Sequence, residues 1–167
     1  MDFHALFERY APHVRRFALF LCGDHALADD ITSETFIRAW VTQNKIMQDS
    51  VKAYLFTIAR NLYRDALRGS KRSAPLGDVS ADLRPSVQHE MEMKSELHVV
   101  MEAIQKLPEA DRAALLMRAQ DGMSYEEISQ VLGLAVTNVK VKIHRARLKL
   151  LQLREPQGKN EDAGEEA

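Results

Sequence analysis

Residues 122–151 read GMSYEEISQVLGLAVTNVKVKIHRARLKLL, a pattern typical of two short helices joined by a tight turn. Ser124, followed three residues later by Glu127, forms a capping-box pattern, which marks the start of a helix. Gly133 can adopt the left-handed conformation that a sharp helix exit needs. The segment therefore predicts a helix-turn-helix.

The second helix of this pair carries different chemistry on its two sides. Apolar residues recur at spacings of three and four, as expected for one buried stripe: Val136, Val139, Ile143, Ala146 and Leu150. Cations lie off that stripe with no acid among them: Lys140, Lys142, Arg145, Arg147 and Lys149. A helix-turn-helix that presents a cationic second helix to the DNA major groove has this pattern. An antiparallel helical hairpin with a solvated charged face is the alternative interpretation.

The overall composition limits the class of protein. The chain has 167 residues, of which 46% are hydrophobic, enough for a packed core in one domain or two small ones. The formal net charge is −1, but cations concentrate in residues 60–72 and 140–154, and acids in residues 155–166. Such local patches, rather than the total charge, determine how a surface meets phosphate.

Cysteine usage and motif content exclude several functions. Cys22 is the only cysteine, so the chain cannot form an internal disulfide or a cysteine-based zinc site by itself. The sequence contains no metal-ligand cluster, nucleophile triad or phosphate-binding glycine loop, so we expect no metal, no cofactor and no enzymatic activity. It also lacks a signal-peptide pattern and an apolar run of membrane-spanning length. We therefore expect a cytoplasmic protein with no membrane contact of its own.

Helical periodicity runs through most of the chain, and no alternation typical of strands occurs. Three helices are predicted in the first half: from the first residues to Gly23, from about His25 to Thr42, and from Val51 to about Arg68. Pro12 is expected to kink or restart the first helix, because proline removes a helical donor. Trp40 is expected on the core face of the second helix.

The predicted fold class is all-α, with two small helical domains joined by a flexible linker, the C-terminal one containing the helix-turn-helix. The helical pattern dissolves in GSKRSAPLGDVSADLRPSVQ, where glycine, serine and two prolines favour a linker. The predicted boundaries are 1–70 for the N-terminal domain, 71–92 for the linker, 93–154 for the C-terminal domain and 155–167 for a disordered acidic tail.

Two helices of the first half carry polar faces that are open to more than one interpretation. Asp30, Glu34 and Arg38 repeat every four residues, as on an exposed helix with one favourable ion pair. The third helix interleaves polar and aromatic residues: Arg60, Asn61, Arg64 and Arg68 with Tyr54, Phe56 and Tyr63. Such a mixture suits single-stranded nucleic acid, where phosphates meet arginines and bases stack on rings. Core aromatics beside a solvated basic edge are the alternative.

Three segments in this order resemble bacterial sigma factors of the extracytoplasmic-function (ECF) type, and the resemblance extends from about Phe7 to Leu151. The segments are DDITSETFIRAW at 29–40, AYLFTIARNLYRDALR at 53–68, and LPEADRAALLMRAQDGMSYEEISQVLGLAVTNVKVKIHRARLKL at 107–150. Motifs of the third segment are common in DNA-binding regulators. Only their combination with the first two segments makes the resemblance specific to this family. The resemblance implies a subunit that binds core RNA polymerase and promoter DNA, is not an enzyme, and is commonly held silent by an anti-sigma factor.

The resemblance also assigns residues to three surfaces. Contacts with core RNA polymerase would be made by Asp30, Ser33, Glu34 and Arg38. The minus-ten promoter element would be bound by Arg60, Asn61, Arg64, Asp65, Arg68, Lys71 and Arg72. The minus-thirty-five element would be bound by Thr137, Asn138, Lys140, Val141, Lys142, His144, Arg145 and Arg147.

The sequence departs from the family pattern at three places. Ser33 stands where glutamine is frequent, and Tyr54 stands where tryptophan is frequent. Ala135 and Val136 occupy the start of the second helix of the helix-turn-helix, where a serine or similar cap is common. A helix start without a side-chain cap is less stable by about 1 kcal/mol.

Two other functional classes remain open from the residues alone. One is a conventional dimeric helix-turn-helix transcriptional regulator, which would bind a palindromic target and have no affinity for core polymerase. The other is a helical adaptor that binds protein and carries basic faces incidentally.

Overall fold

The computed structural model describes residues 2–46, 50–73 and 96–154. Within these ranges the regular elements are helices: α1 (Phe3–Cys22), α2 (His25–Val41), a short 3-10 turn (Gln43–Lys45), α3 (Val51–Ser73), α4 (Glu96–Gln105), α5 (Glu109–Ala119), α6 (Tyr125–Leu132) and α7 (Val136–Arg154). This confirms the all-α fold class. None of the helices in the described part of the chain combines the length and apolar character needed to cross a membrane.

The first three helices pack into a bundle around aromatic residues. The rings of Phe17 on α1 and Phe56 on α3 lie with their centroids 4.6 Å apart, and both side chains are fully buried. α1 ends at Gly23, whose φ of 73° is the left-handed conformation that favours glycine. Pro12 lies inside a continuous α1, so the predicted restart of the helix is wrong.

The last two helices, α6 and α7, form the predicted helix-turn-helix, which packs on α5. Ser124 Oγ accepts from the Glu127 amide and Glu127 Oε1 accepts from the Ser124 amide, both at 3.1 Å, which completes the capping box. Gly133 ends α6 with a φ of 66°. The predicted stripe of α7 is buried at Val139 and Ile143, where it packs on α5.

The two halves of the chain dock against each other. α1 contacts α4 and α5, and α3 contacts α6, so the buried apolar residues form one cluster that includes members of both halves. The helical and linker patterns of the sequence give no indication of this docking. α3 continues through Gly69 to Ser73, beyond the predicted end near Arg68, because one glycine lowers helix stability by only about 1 kcal/mol. Most of the predicted linker and the acidic tail (residues 74–95 and 155–167) lie outside the described residues.

One expected core residue is on the surface. Trp40 is 54% exposed, and its ring packs edge-on against the ring of Phe3, with the two centroids 4.9 Å apart. Residue 39 is the fully buried position at this end of α2, and a step of 100° around the helix turns residue 40 outward. The periodicity of the sequence allowed either residue to face inward.

Candidate nucleic-acid and polymerase interfaces

The second helix of the helix-turn-helix, α7, exposes most of its predicted contact residues. The exposed members are Thr137, Asn138, Lys140, Val141, His144, Arg145 and Arg147. Lys142 differs from them, because its Nζ lies 3.3 Å from the buried Asp111 Oδ1. Lys140 also lies over the ring of Tyr125 on α6, 5.3 Å from its centroid. α7 thus presents a continuous cationic surface in which Lys142 also has a structural partner.

The C-terminal half of α3 forms a second exposed polar surface. Asn61, Arg64, Asp65 and Arg68 are exposed, and Arg68 Nη2 pairs with Asp65 Oδ1 at 3.2 Å. Lys71 and Arg72 belong to the same helix, but their side chains lie outside the described residues. Single-stranded nucleic acid meets such a surface through its phosphates, while stacking needs exposed rings.

The aromatic residues and Arg60 do not belong to that exposed surface. Phe56 and Tyr63 are buried, so the core interpretation of these aromatics is correct for both. Arg60 lies on the same face as they do, four residues after the first and three before the second, and is only 6% exposed. Its guanidinium donates to both carboxylate oxygens of Glu109 on α5, at 2.8 and 2.9 Å. In this docked arrangement Arg60 is therefore not available to DNA.

The polar face of α2 carries the third set of predicted residues. Asp30, Ser33 and Arg38 are exposed, and Arg38 Nε donates to the half-buried Glu34 at 3.1 Å. This ion pair is the one that the four-residue repeat predicts. Its exposure limits its contribution to a few tenths of a kcal/mol.

Apolar side chains border the polar face of α2, a feature that the sequence analysis missed. Ile37 is 57% exposed and Val41 76% exposed, next to Trp40. Phe3 and Phe7 of α1 line shallow depressions beside them. Contiguous exposed apolar area of this kind on a folded domain marks a contact surface for another macromolecule.

A buried carboxylate, Asp121, lies at the junction of the two halves. Its Oδ1 is 3.0 Å from His13 Nδ1 and 3.3 Å from Arg16 Nη2, and its side chain is fully buried. Lys52 on α3 donates to its backbone oxygen at 3.4 Å. Close by, Ser50 Oγ donates to Glu127 Oε2 at 3.2 Å. Sequence reasoning could not identify this cluster, because its members are about 70 to 110 positions apart along the chain.

Arg112 joins the same two halves from the other side. Its guanidinium donates to Tyr63 Oη at 3.2 Å, to the backbone oxygens of Gln105 and Leu107 at 3.2 and 2.9 Å, and to the Leu21 backbone oxygen. One buried side chain therefore binds the ends of α1 and α4 and contacts α3.

Two family models match successive parts of the chain. Residues 6–73 match the family model for Sigma-70 region 2, and residues 97–150 match that for Sigma-70, region 4. Over 143 residues the chain is 35% identical to the ECF RNA polymerase sigma factor EcfG of Rhodopseudomonas palustris, covering 85% of this chain and 79% of that protein. The chain belongs to the ECF sigma factors.

Two further matches extend along nearly the whole of this sigma factor. It is 30% identical over 158 residues to the ECF RNA polymerase sigma factor SigM of Bacillus subtilis, covering 92% of this chain and 95% of that protein. Its fold is similar to that of the sigma factor RpoE solved in complex with the anti-sigma factor NepR from Bartonella quintana. The TM-score is 0.75 at 28% identity, with 91% of this chain and 96% of that chain covered. This membership does not favour the conventional dimeric regulator considered from the residues alone.

Proposed function

We propose that this ECF sigma factor binds core RNA polymerase through α2 and directs it to promoters through α3 and α7. The observation that carries the proposal is the simultaneous exposure of three chemically different surfaces. α2 offers a mixed polar and apolar face, whereas α3 and α7 offer cationic faces. Polymerase supplies the catalytic chemistry in such an assembly, so the sigma factor needs none of its own and acts in the cytoplasm, where polymerase and DNA meet.

The core-polymerase contact is proposed for Asp30, Ser33, Glu34 and Arg38 together with the neighbouring apolar residues. An interface of high affinity usually has an apolar, aromatic centre and a charged rim. Trp40 and Ile37 provide such a centre, since both are more than half exposed and adjoin Arg38. The charged residues would then fix the register and orientation of the polymerase rather than supply most of the affinity.

The minus-thirty-five contact is proposed for α7. Thr137, Asn138 and Val141 lie near its N-terminal end, which is the part of a recognition helix that contacts base edges. Lys140, Lys142, His144, Arg145 and Arg147 would contact mainly phosphates, which position the helix without specifying sequence.

The minus-ten contact is proposed for the exposed part of α3. Asn61, Arg64, Asp65 and Arg68 are free of the docked interface, and Lys71 and Arg72 follow on the same helix. A base flipped out of the opening duplex costs a few kcal/mol, which contacts from this region would have to offset. Arg60 can join them only when Glu109 is displaced.

Control by an anti-sigma factor is also proposed for this chain. Its support is the likeness to RpoE of Bartonella quintana, which was solved bound to the anti-sigma factor NepR. The exposed apolar residues of α2 and α7 are suitable contacts for such a protein, since both helices present side chains such as Val41 and Leu151 to solvent.

The test is in vitro transcription with purified core polymerase, followed by mapping of the start sites on genomic DNA of the source organism. Site-selective initiation that depends on the added protein is expected. Glu34→Lys should weaken association with core polymerase by about tenfold, because it reverses a charge beside the apolar centre. The matched variant Glu102→Lys changes an exposed glutamate on α4 and should retain normal association. Absence of initiation together with normal binding of the protein to a palindromic duplex would instead support a conventional regulator.

A further inference from the structure

Tyr125, the first residue of α6, contacts cations from two other helices. The guanidinium carbon of Arg118 on α5 lies 4.4 Å from the centroid of the Tyr125 ring. The ammonium nitrogen of Lys140 on α7 lies 5.3 Å from the same centroid. Both distances fall within the roughly 6 Å at which an aromatic face attracts a cation. The helices α5, α6 and α7 therefore meet at one ring.

Arg118 fixes the position of this ring. Its Nη1 donates to the Met123 backbone oxygen at 2.9 Å, in the turn that precedes α6. Arg118 and Tyr125 are both half-buried, and Met123 is buried. A planar guanidinium that both donates to the backbone and stacks on a ring has little freedom to move. The Tyr125 ring is therefore held from the interior of the fold.

Lys140 lies on the solvent side of the same ring and has no acidic partner. Lys140 is exposed, and in the described part of the chain no carboxylate lies within ion-pair distance of Lys140 or Arg118. The nearby Lys142 differs, because Asp111 already pairs with it. Two cations beside one ring repel each other, and an anion that binds next to them relieves the repulsion. A DNA phosphate is such an anion.

The position of Lys140 along α7 determines what the ring contact does. Lys140 comes three residues after Thr137 and four before His144, so it shares a helix face with these two proposed DNA contacts. A lysine side chain is flexible, and ordering it on binding costs conformational free energy. A ring that already holds the ammonium group lowers this cost and so raises the affinity for DNA.

We propose that Tyr125 is a positioning residue for the minus-thirty-five contact and that it holds Lys140 ready to bind a DNA phosphate. Arg118 fixes the ring, and Lys140 makes the contact with DNA, so Tyr125 acts through Lys140. The role rests on the proposed function of α7. It requires only the aromatic ring, because the attraction of both cations is to the ring rather than to the hydroxyl group.

The test measures promoter binding by the full chain assembled with core polymerase. The duplex should carry a promoter mapped by in vitro transcription. Tyr125→Leu should weaken binding about two- to fivefold, as expected for the loss of one exposed cation–π contact. Tyr125→Phe retains the ring and should bind as tightly as the wild type. Equal binding by Tyr125→Leu and the wild type would overturn the positioning role while leaving the proposed function intact.

A double-mutant cycle distinguishes positioning of Lys140 from a general loss of structure. In a Lys140→Gln background, Tyr125→Leu should have little further effect on promoter affinity. In an Arg145→Gln background its full effect should remain, since Arg145 is an exposed cation of the same helix. Weakening by the same factor in both backgrounds would overturn the role, because a structural defect would act whether or not Lys140 is present.

The ring contact can also be measured in the full chain without DNA or polymerase. The ring current of Tyr125 should shift the NMR signals of the Lys140 Hε protons upfield, and Lys140→Gln identifies those signals. The shift should persist in Tyr125→Phe and disappear in Tyr125→Leu. Unshifted signals in the wild type would overturn the inference, whatever the function of the chain. An upfield shift in a chain whose polymerase assembly binds no promoter would overturn the proposed function, and the positioning role with it.

Discussion

Two neighbouring cations on α7, Lys142 and Arg145, should behave differently when they are replaced by alanine. Lys142 is the 3.3 Å partner of Asp111, a carboxylate that is 1% exposed, whereas Arg145 is exposed to solvent. Lys142→Ala should lower the free energy of unfolding by about 1–3 kcal/mol, because it leaves a buried charge without its partner. Arg145→Ala should leave stability nearly unchanged and reduce the salt dependence of DNA binding by about one phosphate contact.

Urea titration and DNA binding over a range of salt concentrations distinguish these two effects. The DNA should carry a promoter mapped by in vitro transcription. A double-mutant cycle with Asp111→Asn should show coupling to Lys142→Ala and none to Arg145→Ala. Equal losses of stability from both alanine variants would contradict the role assigned to Lys142.

Burial determines the acid–base behaviour of Cys22. Desolvation raises the pKa of its thiol from the ordinary 9.0 to about 11, with the Asp24 charge acting in the same direction. The folded state therefore holds this proton more tightly than the unfolded state. The resulting stabilisation is complete below pH 9 and is lost as the pH rises towards 11.

The alkylation rate of Cys22 in the folded protein should consequently follow an apparent pKa near 11. In concentrated urea, which unfolds the protein, the pH midpoint of the alkylation rate should return to the ordinary thiol pKa of 9.0. Initial rates measured by mass spectrometry between pH 7 and pH 11 test this. A folded-state midpoint at the ordinary value would mean that the Cys22 thiol is not desolvated in the folded protein.

At the scale of elements, the start of α7 lacks a side-chain cap, and adding one should stabilise the helix. Ala135 is the residue whose carbonyl accepts the first helical hydrogen bond, from the Val139 amide at 3.1 Å, and it has no side-chain acceptor for the next free amides. Ala135→Ser should raise the free energy of unfolding by about 0.5–1 kcal/mol. The control Ala119→Ser lies at the C-terminal end of α5, where a serine cannot act as an N-cap, so it should not raise the free energy of unfolding. Thermal denaturation monitored by circular dichroism measures both.

The success of sequence reasoning at this scale has a local cause. The capping box, the Gly133 exit and the buried stripe of α7 depend on residues within a few positions of each other, so the sequence contains their determinants. Trp40 and Arg60 are different, because their environment is set by distant partners. A tryptophan at the edge of an apolar stripe can face the core or the solvent. The same holds for an arginine beside buried aromatics, and only the neighbouring helix decides between the two orientations.

At the scale of the whole molecule, the continuous core predicts cooperative unfolding. Buried residues of both halves form one cluster, so neither half should lose its structure alone under mild conditions. The fluorescence of Trp40, the only tryptophan, reports the first half through its contact with Phe3, and far-ultraviolet circular dichroism reports all helices. The two urea transitions should coincide in the wild type. Separate midpoints would show that the halves unfold independently.

The docking that underlies this prediction could not be derived from the sequence. The alternation of helical and linker patterns indicates two units and gives no information on the contact between them. Glu109 and Asp121 look like ordinary surface acids in a charged helical sequence. Only the placement of Arg60, His13 and Arg16 opposite them identifies a charged interface.

Gly23 gives this arrangement a genetic consequence. Its φ of 73° disfavours any other residue, and a methyl group added there would come within 3.0 Å of the Gln105 side chain that seats on α1. A missense allele such as Gly23→Ala would weaken the contact of Gln105 with the end of α1 and would leave every candidate polymerase and promoter contact unaltered. Strains carrying it should contain less of the protein, because a less stable chain is degraded faster.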